Sequence, residues 1–356
     1  MPARDAIFLA CLESGLTGSS HRLRVGIKPF WHKQERRRDA PLSRNRLRFR
    51  GDAMDHGWIF EGARRVGFVG GLRQFTLPAA GRSGRSSQVP PVRIGLALGG
   101  GFARGIAHAG VLKVLDQHHI PIHCVTGVSA GSIVAAAYAS GAAPGEIARA
   151  GCSMRFRDVG RWRLGRLGLV GSERMNRFLK RLLKTYRFEE MRIPLGVLAT
   201  DLSTGESVPF AGSGTVFDAI RASCSYPGLF QPVRHRGRLL VDGAMSMEIP
   251  AALARQLGAT HVISVHLPTG GPGAPPTNLF QVLNRCFQIL QSRSENNWRS
   301  ETDLIIAPNV HGVDWDAFGC GPQLIKAGEA AALTALPEIE EWIQPAAARG
   351  ELMRAV

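Results

Sequence analysis

The sequence predicts an α/β fold: a three-layer α/β/α sandwich with a mainly parallel central sheet, preceded by a basic N-terminal extension. Three observations carry this. Short apolar runs at 93–98, 122–126, 195–202, 238–241, 261–267 and 304–307 are too brief for helices and read as buried strands. Between them lie segments with apolar residues at helical spacing, and strands that alternate with helices build a parallel sheet covered on both faces. The chain has 356 residues, 44% of them hydrophobic, which is ample to bury such a core.

The elements follow in order. Residues 1–90 show no helical or strand period; Arg36-Arg37-Arg38 and alternating arginines from Arg44 to Arg50 lead into a Gly/Ser/Arg/Pro stretch at 81–91. This reads as a poorly ordered extension and linker (1–90) before the folded domain (91–345) and a tail (346–356). The extension is either a polyanion-binding tail or sequence upstream of a start at Met54. The strand at 93–98 runs into Gly99-Gly100-Gly101 and a helix over 103–116. The strand at 122–126 turns through Gly127-Val128-Ser129-Ala130-Gly131 into an Ala-rich helix, 132–140, whose apolar character on most sides suits a central position. Ser172 is placed as the N-cap of a basic amphipathic helix, 173–184. After the strand at 195–202, residues 207–210 fit an edge or hairpin strand and 216–222 a helix. The strand at 238–241 ends at Asp242-Gly243-Ala244. A helix at 249–257 precedes the strand at 261–267, residues 269–276 form a Gly/Pro loop, and 278–292 is amphipathic. Helices at 326–336 and 338–343 close the domain.

Charge excludes less than it first suggests. The formal net charge is +16, but residues 1–90 hold 17 Lys/Arg against 7 Asp/Glu, so most of the excess lies outside the predicted domain. That distribution argues against specific nucleic-acid binding by the domain. The six cysteines are widely spaced with no CxxC, which is neither a zinc pattern nor a disulfide framework. Buried free thiols in a reducing compartment are expected. No uncharged apolar run approaches the roughly 18 residues of a membrane span. The expected location is cytoplasmic, with contact at the inner membrane surface left open.

Three motifs carry chemistry. Ser129 is the only serine with Gly at both −2 and +2, and it lies between a predicted strand and a predicted helix. A turn that sharp holds a nucleophile at its tip, and the following helix aims its N-terminus at the site. Gly99-Gly100-Gly101-Phe102-Ala103-Arg104-Gly105 forms another strand-to-helix turn whose amides can converge on an anion. A Walker loop would need Lys and Ser/Thr after Gly105, where Ile106 and Ala107 stand; a dinucleotide fingerprint would need Gly at Arg104. Asp242 ends a strand, where open α/β sheets place their sites, and burial would raise its pKa into the range of a usable base.

Together these motifs resemble the patatin-like phospholipase family: a GGxxRG turn on the first strand, GxSxG on the next, and a late Asp-Gly-Ala. His108-Ala109-Gly110-Val111-Leu112, Ala199-Thr200-Asp201-Leu202 and Ser223-Cys224-Ser225-Tyr226-Pro227-Gly228-Leu229-Phe230 are similar to bacterial members. The resemblance covers roughly residues 92–345. It implies a serine acyl hydrolase of phospholipids or other fatty-acyl lipids, with no cofactor and no metal. Ser129 would be the nucleophile, Asp242 the base, and the amides of Gly100, Gly101 and Phe102 the oxyanion hole. Arg104, Gly105, Gly127, Gly131 and Gly243 would support them, Arg104 by pairing with a carbonyl or carboxylate. The family's usual third glycine is Phe102 here. Phe is expected to need negative φ, so the choice of donors among the three amides stays open.

Two other readings remain. One is a catalytically weak lipid-binding or regulatory protein on the same fold. The other is a Ser-Asp-His esterase with His266, which ends a strand after Asp242, as the base. His118, His119 and His123 read as solvated or capping residues rather than metal ligands. The basic stretch from Trp162 to Tyr186 is either a lid or interfacial surface, or a solvated helix packed on the core. Oligomeric state is not encoded in any of these motifs.

Overall fold

The computed structural model describes residues 91–268 and 275–344. The predicted extension and linker, part of the 269–276 loop and the 346–356 tail lie outside the described residues.

Ile94–Leu98 (β1) passes through a 3₁₀ turn, Phe102–Ile106, into Ala107–Gln117 (α1). Ile122–Gly127 (β2) leads to Ala130–Ala139 (α2), Pro144–Ser153 (α3) and Phe156–Val159 (α4). The hairpin Arg161–Gly165 (β3) and Gly168–Gly171 (β4) precedes Glu173–Leu182 (α5). Leu195–Asp201 (β5), Ser207–Ala211 (β6), Val216–Ser223 (α6), Val233–His235 (β7) and Arg238–Asp242 (β8) follow. Ala251–Gln256 (α7), His261–Val265 (β9), Leu279–Ser294 (α8), Asn296–Arg299 (α9), Leu304–Ile306 (β10) and Gly321–Ile343 (α10) complete the described chain.

Eight strands form the central sheet in the order β10-β9-β1-β2-β5-β8-β7, with β6 also on β5. β10, β9, β1, β2 and β5 are parallel; β6 and β8 run antiparallel to β5, and β7 antiparallel to β8. Strand alternation divides the core between two faces. Ile94, Leu96, Leu98, Val125, Ile263 and Val265 point to a large cluster shared with α1, α2, α5, α6 and α10. Ala97, Cys124 and Val262 point the other way, against α7 and Trp298 of α9. This is the expected three-layer sandwich, and it is mainly parallel.

The register of β5 positions the site. On one edge β5 pairs with β6 along its length. On the other edge two strands share it end to end: Gly127 of β2 lies opposite Val197, and Asp242 of β8 lies opposite Ala199. The C-terminal ends of two oppositely running strands therefore meet two β5 residues apart, about 7 Å by strand rise. Sheet pairing alone brings the serine turn and the aspartate together, although 113 positions separate them.

Several expectations change. The helices predicted at 326–336 and 338–343 are one helix, α10, which continues through Pro337. Proline removes a hydrogen bond but does not break the helix where packing holds it on both sides. Leu336 and Ile339 are buried, and α10 lies so close to α1 that a Cβ on Gly328 would fall 2.0 Å from the Ala107 carbonyl oxygen. Ser172 stands at the N-cap position of α5 but its side chain does not cap; it is buried, and its hydroxyl accepts from Arg221 Nε at 3.1 Å. The stretch from Trp162 to Tyr186 is no continuous helix: its first part is the β3-β4 hairpin. The apolar side of α5 (Met175, Phe178, Leu179, Leu182) is buried in the main cluster, so it faces the core rather than a bilayer. No described helix is long and apolar enough to cross a membrane. Among the five described cysteines, all free, Cys124 and Cys224 are buried and Cys286 is exposed.

Candidate active site

Ser129 sits between β2 and α2 with φ 52° and ψ −128°, a conformation that L-residues avoid. Several contacts hold it there. Its amide donates to Ser223 Oγ at 2.9 Å, and its carbonyl accepts from the Ser132 hydroxyl at 2.6 Å and from Cys224 Sγ at 3.3 Å. The flanking glycines answer to close approach: a Cβ on Gly127 would lie 2.4 Å from the Gly131 carbonyl oxygen, and one on Gly131 the same distance from that of Leu98. Gly105 and Gly243 are alike in this, meeting Ala130 Cβ at 2.6 Å and the Leu198 carbonyl at 2.2 Å.

Asp242 is almost wholly buried, at 1% exposure. Its Oδ1 accepts from the Ala244 amide at 3.0 Å, while Oδ2 has no hydrogen-bond partner among the described residues. Burial pushes its pKa up to about 7; the Ala244 amide and the Ser129 hydroxyl, both favouring the charge, pull it back only in part. Nearby, Cys224 and Tyr226 are pushed well above their usual range by burial and then by the Asp242 charge, so both stay neutral.

The Gly100–Phe102 turn lies against the serine. A Cβ on Gly100 would sit 3.2 Å from Ser129 Cβ, 3.8 Å from its Oγ and 3.9 Å from Ala244 Cβ. The amides of Gly100, Gly101 and Phe102 donate to no protein group among the described residues, whereas those of Ala103 and Arg104 are taken by Trp315 and Gly101 carbonyls. Contrary to expectation, Phe102 adopts positive φ, 50°. The strain is held by packing: its ring meets Tyr226 and Trp315 edge-on, centroids 5.0 and 5.1 Å away. Substituting Gly100→Ala should place a methyl group beside Ser129 Oγ, in the way of a substrate approaching it. Steady-state kinetics should show a 10- to 100-fold lower kcat with a normal melting temperature.

Some supporting residues went unrecognised in the sequence. His108 is fully buried, and its Nε2 contacts the Gly99 carbonyl at 2.9 Å; burial lowers its pKa to about 4, so it is neutral and anchors the turn as a donor. Ser223 fixes the Ser129 amide. Both lie in stretches with visible motif character, but neither spacing announces a role. Arg104 is buried and forms no ion pair among the described residues, and its Nε has no partner there; burial lowers its pKa, with Asp314 acting in the opposite sense. His266 is engaged away from the serine, with Nε2 3.3 Å from Glu248 Oε1 and its ring against Trp298. A cavity of about 550 Å³ lined by Glu146, Arg155, Phe178, Arg181 and Lys184 contains none of the site residues.

Residues 96–255, which hold both the serine turn and the aspartate, match the family described as patatin-like phospholipase. These residues form a patatin-like phospholipase domain. Relatives share it at moderate identity. An uncharacterized NTE family protein of Mycobacterium tuberculosis is 34% identical over 215 residues, covering 58% of this chain and 58% of that protein. A lysophospholipase of Mycosarcoma maydis is 33% identical over 180 residues, 48% of this chain and 9% of the relative. The chain thus spans little more than half the length of the mycobacterial relative. Among solved structures, VipD from Legionella pneumophila superposes with a TM-score of 0.42 at 12% identity, over 70% of this chain and 67% of VipD. The patatin-like domain reaches from β1 into α7, so its match includes every strand that carries a site residue.

Proposed function

We propose that the patatin-like domain is a serine acyl hydrolase acting on carboxylic esters of phospholipids or related fatty-acyl lipids. One observation carries the reading: a strained serine and a buried carboxylate of pKa about 7 meet where β2 and β8 abut on β5. Asp242 takes the proton from Ser129 Oγ as the oxygen attacks the ester carbonyl carbon. The tetrahedral oxyanion is held by the free amides of the Gly100–Phe102 turn and favoured by the N-terminus of α2. Asp242 returns the proton to the departing alcohol oxygen, leaving an acyl-Ser129 ester. Water, deprotonated by Asp242, then attacks that ester; the fatty acid leaves and the proton passes back to Ser129.

The lipid substrate class is supported by the family and by the name of the Mycosarcoma maydis relative. A surface beside the site agrees. Helix α8 exposes Leu279, Val282, Leu283, Ile289 and Leu290. The same helix reaches the site through Asn284, which accepts from the Tyr226 hydroxyl at 2.9 Å, and Gln291, which donates to the Ala244 carbonyl at 3.4 Å. This apolar helix is a better candidate for peripheral membrane contact than α5.

The test uses a fluorophosphonate probe on the full chain. One equivalent should attach to the peptide containing Ser129. Fatty-acid release from a panel of phospholipid, lysophospholipid and triacylglycerol substrates should stop in proportion to labelling. Lipid binding without labelling or release would instead make the protein a non-catalytic lipid binder.

A further inference from the structure

We propose that Glu248, His266 and Glu295 form a binding site for one divalent transition-metal ion, zinc or manganese by type, independent of the hydrolase reading. The three residues are remote in sequence. Glu248 lies in the loop between β8 and α7, His266 follows β9, and Glu295 stands where α8 meets α9. Each offers one ligand atom, and these atoms lie within 4.8 Å of one another.

Charge and hydrogen bonding both favour a cation here. Glu248 and His266 are each 8% exposed, and Glu248 Oε1 faces His266 Nε2 at 3.3 Å. The other carboxylate oxygen, Glu248 Oε2, is buried with no partner among the described residues. Glu295 is partly neutralised, since its Oε2 accepts from Arg299 Nε at 2.9 Å and Nη2 at 2.8 Å. Of the two carboxylates, Glu295 has a guanidinium partner, whereas Glu248 faces only the imidazole. A buried carboxylate oxygen without a donor is costly, typically by a few kcal/mol. A bound ion would both offset the carboxylate charge and give Oε2 a partner.

The donor set selects the ion. One imidazole nitrogen with two carboxylate oxygens suits zinc or manganese better than calcium or magnesium, which prefer all-oxygen shells. Metal bonds of about 2.0–2.2 Å require ligand atoms no more than about 4.4 Å apart. Closing from 4.8 Å takes under an ångström of side-chain movement. Three protein ligands leave a position for water. The sequence hid this site because 18 and 29 residues separate its members, so no short motif exists.

The location gives the ion a structural role. The Glu248 carbonyl packs behind the oxyanion turn, 3.6 Å from where a Cβ on Gly99 would lie. Gln291, one helical turn before Glu295, holds the Ala244 carbonyl next to Asp242. A metal here would clamp the end of α8 to the loop that follows the catalytic aspartate.

The experiment titrates the untagged, chelator-stripped full chain with zinc by calorimetry and with cobalt by visible absorption. One strong site should appear, with cobalt d–d bands and a change in the fluorescence of Trp298, whose ring lies 5.3 Å from that of His266. Zinc at saturation should raise the melting temperature. Glu248→Gln and Glu295→Gln should each weaken binding at least tenfold and remove the fluorescence change. His266→Asn should do the same, and circular dichroism together with a cooperative thermal transition will establish that each variant is folded. Absence of a strong site for zinc, manganese and cobalt would overturn the proposal. So would zinc binding of unchanged affinity in both Glu variants, since the chain has 11 histidines that could hold metal elsewhere.

Discussion

Ser129→Ala should lower kcat for ester hydrolysis by at least about 10⁴-fold and abolish fluorophosphonate labelling, with the melting temperature close to that of the wild type. The chemistry rests on one oxygen, because the neighbouring Ser223 and Ser132 hydroxyls are engaged by the Ser129 amide and carbonyl, and the Tyr226 phenol and Cys224 thiol stay neutral. Alanine keeps the Cβ and so keeps the strain of φ 52°, ψ −128°, which explains the unchanged stability. Ser129→Gly separates strain from chemistry. Glycine adopts positive φ freely, so this variant should be equally inactive but more stable, by about 1 kcal/mol in a denaturant titration. Equal stability of the Ala and Gly variants would mean that the turn stores no strain. Residual turnover in Ser129→Ala above a thousandth of the wild-type rate would place the nucleophile elsewhere.

Much of this site is legible in the sequence because its parts are local. Gly127-Val128-Ser129-Ala130-Gly131 prescribes its own turn, since the small flanking residues are needed wherever a strand bends that sharply into a helix. Asp242 was found as the polar end of an apolar strand, and the alternation of strands and helices was enough for the sandwich. What was not legible depends on contacts between distant segments. The end-to-end meeting of β2 and β8 on β5 is a register, and register is set by the assembled sheet. Phe102 takes a conformation that its side chain disfavours because Tyr226 and Trp315, far along the chain, clasp its ring. Pro337 reads as a helix boundary and is not one, because α1 packs against α10 across the interruption. Ser172 looked like a cap until Arg221 claimed its hydroxyl. In each case tertiary packing prevailed over a local preference worth at most a few kcal/mol.

Asp242→Asn should reduce kcat/KM by about 10³- to 10⁵-fold and at the same time stabilise the protein, more so at higher pH. The activity loss follows from removing the base. In the wild type the base must be ionised, so kcat/KM should rise with pH through a midpoint near 7, the pKa that burial imposes on Asp242. The stability gain has the same origin. An unfolded aspartate titrates near 3.8 and the folded Asp242 near 7. Between these values the folded state keeps a proton that the unfolded state has lost. Wild-type stability therefore falls as pH rises through this window and levels off above about 7. Asparagine preserves the acceptor for the Ala244 amide and carries no charge at any pH. The difference in melting temperature between the two proteins should start from a fixed offset near pH 4, grow up to about pH 7, and then stay constant. Its growth should correspond to roughly 1–4 kcal/mol. A difference that is flat from about pH 4 to pH 8 would mean that burial does not set the pKa of Asp242. A parallel rise of wild-type activity and of the variant's stability advantage, with one midpoint, would tie both to the same carboxyl group. The charge that makes Asp242 a base is then also what weakens the fold around it.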